Sequence, residues 1–117
     1  MKILLSFALI FAFVFNSFGS PLVFKVTKEV KKFTPEILAT FDVAKYNRIK
    51  IAVISRSKKN LTSISISGLE DENFDIALDS EENLKGDYVK ILELPPSKIR
   101  VQIIGEGTYS LYVWASQ

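Results

Sequence analysis

From residue 21 onward the dominant spacing of apolar residues is two, the period of a strand with one face in a core and the other in solvent. In Arg48 to Val53 the residues Ile49, Ile51 and Val53 share one face. In Thr62 to Ser67 the inward pair is Ile64 and Ile66. Phe74, Ile76 and Leu78 repeat the pattern, with Asp75 and Asp79 expected on the opposite face. Lys98 to Ile103 alternates again, and a last strand is predicted from Thr108 to Ala115. Weaker alternations predict strands at Leu22 to Thr27, Ile37 to Val43 and Tyr88 to Leu94. Turn chemistry separates these runs: Tyr46-Asn47, Ser57 to Asn60, Gly68 to Asn73, Asn83 to Asp87, Pro95-Pro96-Ser97 and Gly105-Glu106-Gly107. Lys28 to Phe33 fits two readings. Val26, Val30 and Phe33 have helical spacing, but a lysine-studded edge strand fits as well, and extended chain is preferred.

About seven or eight short strands with no long helical pattern predict an all-β fold, an antiparallel β-sandwich of jelly-roll kind, with a small closed barrel as the second choice. No internal repeat or linker interrupts the pattern. One segment breaks it. Ile3 to Phe15 is apolar except for Ser6, follows Met1-Lys2, and leads to Ser17 and Gly19. A basic start, a short apolar stretch and small residues two apart read as a secretory signal peptide, cut between Gly19 and Ser20. The alternative is a retained anchor, but thirteen residues of helix reach only about 20 Å, against roughly 30 Å of hydrocarbon. The expected organisation is therefore a signal peptide at 1–19 and a single sandwich domain at 20–117. The mature chain has no membrane span and is placed in the periplasm or outside a bacterial cell.

Composition then removes chemistry. The chain has no cysteine and no histidine. Disulfides, thiolate nucleophiles, Ser-His and Cys-His pairs and the commonest zinc ligands are all absent. Paired carboxylates remain, but Asp75 and Asp79, four apart on one strand, would be about 13 Å apart. A paired-carboxylate glycosidase site needs roughly 5 to 9.5 Å. No enzyme and no cofactor are expected. Charge is unevenly spread: residues 21–59 hold ten Lys/Arg against three acids, and residues 60–117 hold four against ten. The two halves of a sandwich can lie side by side and partly cancel. No basic run is interleaved with stacking aromatics, so nucleic acid is not an expected partner.

Three surfaces stand out. If Tyr109, Leu111 and Val113 face inward, then Ser110, Tyr112 and Trp114 share the outer face of the last strand. Two aromatics at i, i+2 on a flat sheet make a platform for sugar rings or a partner chain. The reversed register would put Trp114 in the core. Glu70, Asp71, Glu72 and Asp75 offer oxygens of the kind calcium takes, without the spaced loop motif of a dedicated site. A solvated acidic loop is the plainer account. Ser63, Ser65 and Ser67 form a small hydroxyl row.

Phe41-Asp42-Val43-Ala44-Lys45-Tyr46-Asn47-Arg48-Ile49-Lys50-Ile51 looks like a strand, a bend and a second strand. Pro95-Pro96-Ser97-Lys98-Ile99-Arg100-Val101, followed by Gly107-Thr108-Tyr109-Ser110-Leu111-Tyr112-Val113, looks like a closing hairpin. Over residues 37–115 the chain resembles small secreted bacterial sandwich domains of the pre-peptidase C-terminal or galactose-binding jelly-roll type. The resemblance implies a sandwich without catalysis, of a kind that usually accompanies a secreted enzyme, and it carries over no catalytic residue. The functional expectation is a binding module for carbohydrate or protein. The alternatives are a structural component assembling through its sheet edges and a calcium-dependent module.

Overall fold

A computed structural model describes residues 20–56, 62–70, 75–84 and 86–117. They form eight strands: β1 Leu22–Val30, β2 Glu36–Asp42, β3 Arg48–Arg56, β4 Thr62–Leu69, β5 Asp75–Leu84, β6 Tyr88–Glu93, β7 Lys98–Ile104 and β8 Gly107–Ser116. Among the described residues no helix is long and apolar enough to cross a membrane. The expected signal segment, the hairpin tip at 57–60 and residues 71–73 of the acidic loop lie outside the described residues.

The pairing is nested. β1 pairs with β8, β2 with β7, β3 with β6 and β4 with β5, all antiparallel. Two further ladders, β3 with β8 and β4 with β7, join these pairs into sheets. The result is a first sheet in the order β1-β8-β3-β6 and a second in the order β2-β7-β4-β5. A long hairpin rolled over on itself in this way is a jelly roll. The sequence expectation of an all-β antiparallel sandwich holds.

The core lies between the sheets and follows the alternation. Ile49, Ile51 and Val53 of β3 and Tyr109, Leu111, Val113 and Ala115 of β8 face Ile64 and Ile66 of β4 and Ile99, Val101 and Ile103 of β7. Branched side chains fill the pleated inner faces well, and each full burial contributes about 1.5–3 kcal/mol. Two hydroxyls in this core satisfy each other: those of Thr62 and Tyr109 are 2.9 Å apart and hydrogen-bonded. Gly105 passes directly beside this pair. At its φ of 155°, an added Cβ would sit 2.6 Å from the Thr62 hydroxyl and 2.8 Å from that of Tyr109, so a larger residue would force these groups apart.

Two places depart from the sequence expectation. Lys28 to Phe33 is neither helix nor wholly strand. β1 continues to the buried Val30 and stops, and Lys28 reaches the β2 margin, donating to the Ile37 carbonyl at 3.1 Å beside Glu36 at 3.5 Å. β5 is longer than predicted and runs two residues into the turn expected at Asn83 to Asp87, ending at Leu84. It manages this with two bulges against β4. The first moves Asp79 opposite the inward Ile66, and the second returns Leu84 to the core with Asn83 at φ 56°. Asp75 and Asp79 therefore do not share a face. Asp79 instead accepts a 2.5 Å hydrogen bond from the hydroxyl of Tyr88, which is 3% exposed. Burial pushes the Tyr88 phenol well above the usual tyrosine range, and the Asp79 bond and the charges of Asp79 and Glu81 add to this.

Candidate functional site

β8 runs through the middle of the first sheet, flanked by β1 and β3. With Tyr109, Leu111, Val113 and Ala115 inside, Ser110, Tyr112 and Trp114 point to the outer side. The register fixes their neighbours. Ser110 lies between Thr27 and Ile54, Tyr112 between Lys25 and Ala52, and Trp114 between Leu22 and Lys50. β6 adds Val89 and Ile91 to the same side, 55% and 46% exposed.

The Tyr112 and Trp114 rings stack, with centroids 6.0 Å apart and planes 18° from parallel. Each ring carries an ammonium. Lys25 Nζ lies 5.4 Å from the Tyr112 centroid and Lys50 Nζ lies 5.5 Å from the Trp114 centroid. Both distances are within the reach of a cation–π contact. This packing encloses the rings more than an outward position alone implies. Trp114 is only 5% exposed, Tyr112 is half-buried, and Ser110 is 7% exposed with its hydroxyl 3.0 Å from that of Thr27. A recess of about 170 Å³ opens beside this cluster, lined by Ser20, Arg48, Lys50 and Ile91 among others.

Two of the acidic candidates are among the described residues. Glu70 and Asp75 are exposed, and Asp75 faces Arg100 Nη1 at 3.4 Å. Asp71 and Glu72 lie outside the described residues. Among the described residues no three Asp or Glu side chains converge on a point that would hold a metal ion. Ser63, Ser65 and Ser67 are half-buried on the outer side of β4, opposite Ile104, Gln102 and Arg100 of β7.

One concavity has no counterpart in the sequence reading. An open groove of about 670 Å³ lies at the β1/β2 margin, lined by Phe24, Phe41, Asp42, Lys45 and Tyr46 among others. Phe24 and Phe41 stack at 5.1 Å, and Lys45 Nζ sits 5.4 Å from the Tyr46 centroid. Asp42 Oδ1 accepts from the Ala44 amide at 2.8 Å, which shapes the turn that brings Lys45 and Tyr46 to the groove. Read along the chain, Tyr46 is a turn residue and the two Phe are ordinary strand residues. Only the meeting of β1 with β2 makes them neighbours.

No family model matches the sequence, and no curated protein is significantly similar to it. Solved structures do match in fold. The pre-peptidase C-terminal domain of a collagenase from Bacillus anthracis superposes with a TM-score of 0.59 and 16% identity, covering 79% of this chain and 89% of that domain. The SPBc2 prophage-derived protein YomS gives 0.56 at 10% identity over 79% and 92%. A structure of Bacillus endospore appendages, which form disulfide-linked pili, gives 0.52 at 11% over 83% and 89%. The likeness to the pre-peptidase C-terminal type is thus present in the architecture. At these identities it is a likeness of fold alone.

Proposed function

We propose that the protein is a secreted or periplasmic, non-catalytic binding module, and that it binds carbohydrate through the outer face of its first sheet. The observation that carries this reading is the parallel Tyr112–Trp114 stack on the solvent side of β8. The stack holds Lys25 and Lys50 over its rings on a stiff central strand, and such an ordered set of aromatic and hydrogen-bonding groups suits recognition of a saccharide or of a partner surface. Trp114 is the chain's only tryptophan, so its fluorescence reports on the site directly. Titration with a panel of neutral and charged polysaccharides is expected to shift or quench that emission. An emission spectrum unchanged across the panel removes the reading. Export is tested separately by N-terminal sequencing of protein recovered from outside the cytoplasm, which is expected to begin at Ser20.

A specific observation favours a second reading, assembly through a sheet edge. Of the four edge strands, β1, β2 and β5 each carry a register shift against their neighbours, whereas β6 pairs with β3 without one and leaves Val89 and Ile91 exposed. Bulges and charges blunt edges against pairing, and a regular apolar edge invites it. Light scattering that shows a concentration-dependent larger species, lost in Val89→Lys, would favour this reading over the first.

A further inference from the structure

The inference drawn here rests on the carbohydrate-binding reading and names its ligand class. A stacking platform works when its ring faces are open to a sugar. On this sheet each ring already has an ammonium over it, and Trp114 is 5% exposed. What the face presents to solvent is therefore a pair of cations held in place by aromatic rings. Lys25 stands directly across from Tyr112 and Lys50 directly across from Trp114, on the strands either side of β8. A long lysine side chain normally loses rotamer freedom when it meets a ligand. Rings that already fix its position reduce that loss.

The surroundings have the same sign. The outward positions of β1, β8, β3 and β6 carry Lys25, Arg48, Lys50 and Arg56 against Glu29 and Glu93. Both acids already face a cation, Glu93 with Arg48 and Glu29 with Lys31, each at 3.8 Å. Glu93 apart, four acids of the C-terminal half lie on the other sheet. Asp75, Asp79, Glu81 and Glu82 lie on β5, the far edge of the second sheet. The uneven charge of the sequence thus becomes a positive face on one sheet and an acidic margin on the other. A positive field over a flat face raises the local concentration of anions. The recess beside Trp114 is lined by two of these cations, Arg48 and Lys50, with Ile91 as its apolar wall.

We propose that this face takes an anionic saccharide, a sugar chain bearing carboxylate or sulfate groups. Lys25 receives one anionic group, Lys50 receives a second at the recess, and the sugar body lies against the exposed Val89 and Ile91. The backbone positions of Lys25 and Lys50 are two strands and two residues apart, about 12 Å on sheet spacings, which asks for two charges on one chain. Each ammonium offers three donors to an anionic oxygen. Single-stranded nucleic acid fits less well, because its bases need the open ring faces that the lysines cover.

The test uses Trp114 fluorescence with two matched probe pairs at low and high salt: polygalacturonate against its methyl ester, and dextran sulfate against dextran. The expected result is at least tenfold tighter binding of the charged member in one pair or both, weakening as salt rises. Lys25→Gln and Lys50→Gln each reduce that affinity roughly tenfold, with melting midpoints confirming that both variants fold. Lys98→Gln, which removes the same charge from the second sheet, leaves it within about twofold. Equal binding of charged and neutral members overturns the inference and leaves the carbohydrate reading standing. No binding of any member overturns both. An equal loss in Lys98→Gln, or tighter binding of a single-stranded oligonucleotide than of either polyanion, also overturns the inference.

Discussion

Replacing Tyr88 by Phe removes one hydroxyl from the place where the open margins of the two sheets meet. β6 ends the first sheet and β5 ends the second, and the Tyr88–Asp79 hydrogen bond of 2.5 Å ties them together. The ring stays, so no cavity opens. A hydrogen bond to a charged acceptor contributes about 1.5–3 kcal/mol. Asp79 is half-buried and recovers water when its partner is lost, so the lower end applies, about 1.5 kcal/mol near neutral pH. The alkaline range gives a sharper reading. The folded phenol holds its proton well above the usual value, whereas an unfolded tyrosine ionises near pH 10, as a rough reference. Below that pH the contribution of Tyr88 is fully present. Above it the unfolded chain binds fewer protons than the folded one, and stability falls by up to about 1.4 kcal/mol per pH unit. The variant lacks this loss. Every other titratable group is common to both proteins and cancels in the difference. Urea denaturation at a series of pH values should therefore show a gap of about 1.5 kcal/mol at pH 8 that closes near pH 11. A gap that stays constant across this range, or no gap at pH 8, refutes the reasoning.

Further outcomes follow from single features. Gly105→Ala places a Cβ within 2.6 Å of the Thr62 hydroxyl at a φ of 155°. It should cost about 2–4 kcal/mol in chemical denaturation, and a cost under half a unit would mean the 104–107 turn moves freely. Leu94 is 80% exposed at φ 51°. Leu94→Gly relieves a left-handed conformation at little loss of burial and should stabilise by about 0.5–1 kcal/mol, read as a higher melting midpoint. Calcium and chelator should leave the midpoint where it is, since Asp75 faces Arg100 and Glu70 is solvated. A rise with calcium that is reversed by chelator would instead make 70–75 a site.

The strands were legible because a period of two needs no tertiary knowledge. Ile49-Ile51-Val53, Ile64-Ile66 and Ile99-Val101-Ile103 all turn inward as their alternation requires. The same rule put Tyr112 and Trp114 on the outer side of β8. What alternation cannot carry is a bulge, because one extra residue reverses the phase beyond it. Asp79 was misplaced for that reason, and a bulge at Asn83 carries β5 two residues into the turn expected at Asn83 to Asp87. Exposure was also beyond reach. Whether an outward Trp114 is open depends on Lys50, which is 64 residues earlier in the chain and directly opposite in the ladder. The Phe24–Phe41 groove escaped notice for the same reason, since its walls belong to different sheets.

The nesting of β1 with β8 has a consequence in time. Thr27 and Ser110, hydrogen-bonded neighbours in the first sheet, are 83 residues apart along the chain. β8 is also the strand that joins β1 to β3, so that layer has no continuous ladder until residues 107–116 have been synthesised. Long-range closure of this kind is slow, on the order of milliseconds to seconds. A nascent polypeptide with this wiring keeps its first sheet unjoined until the eighth strand has emerged, so its apolar inner face stays uncovered for longer than in a fold built from successive local hairpins.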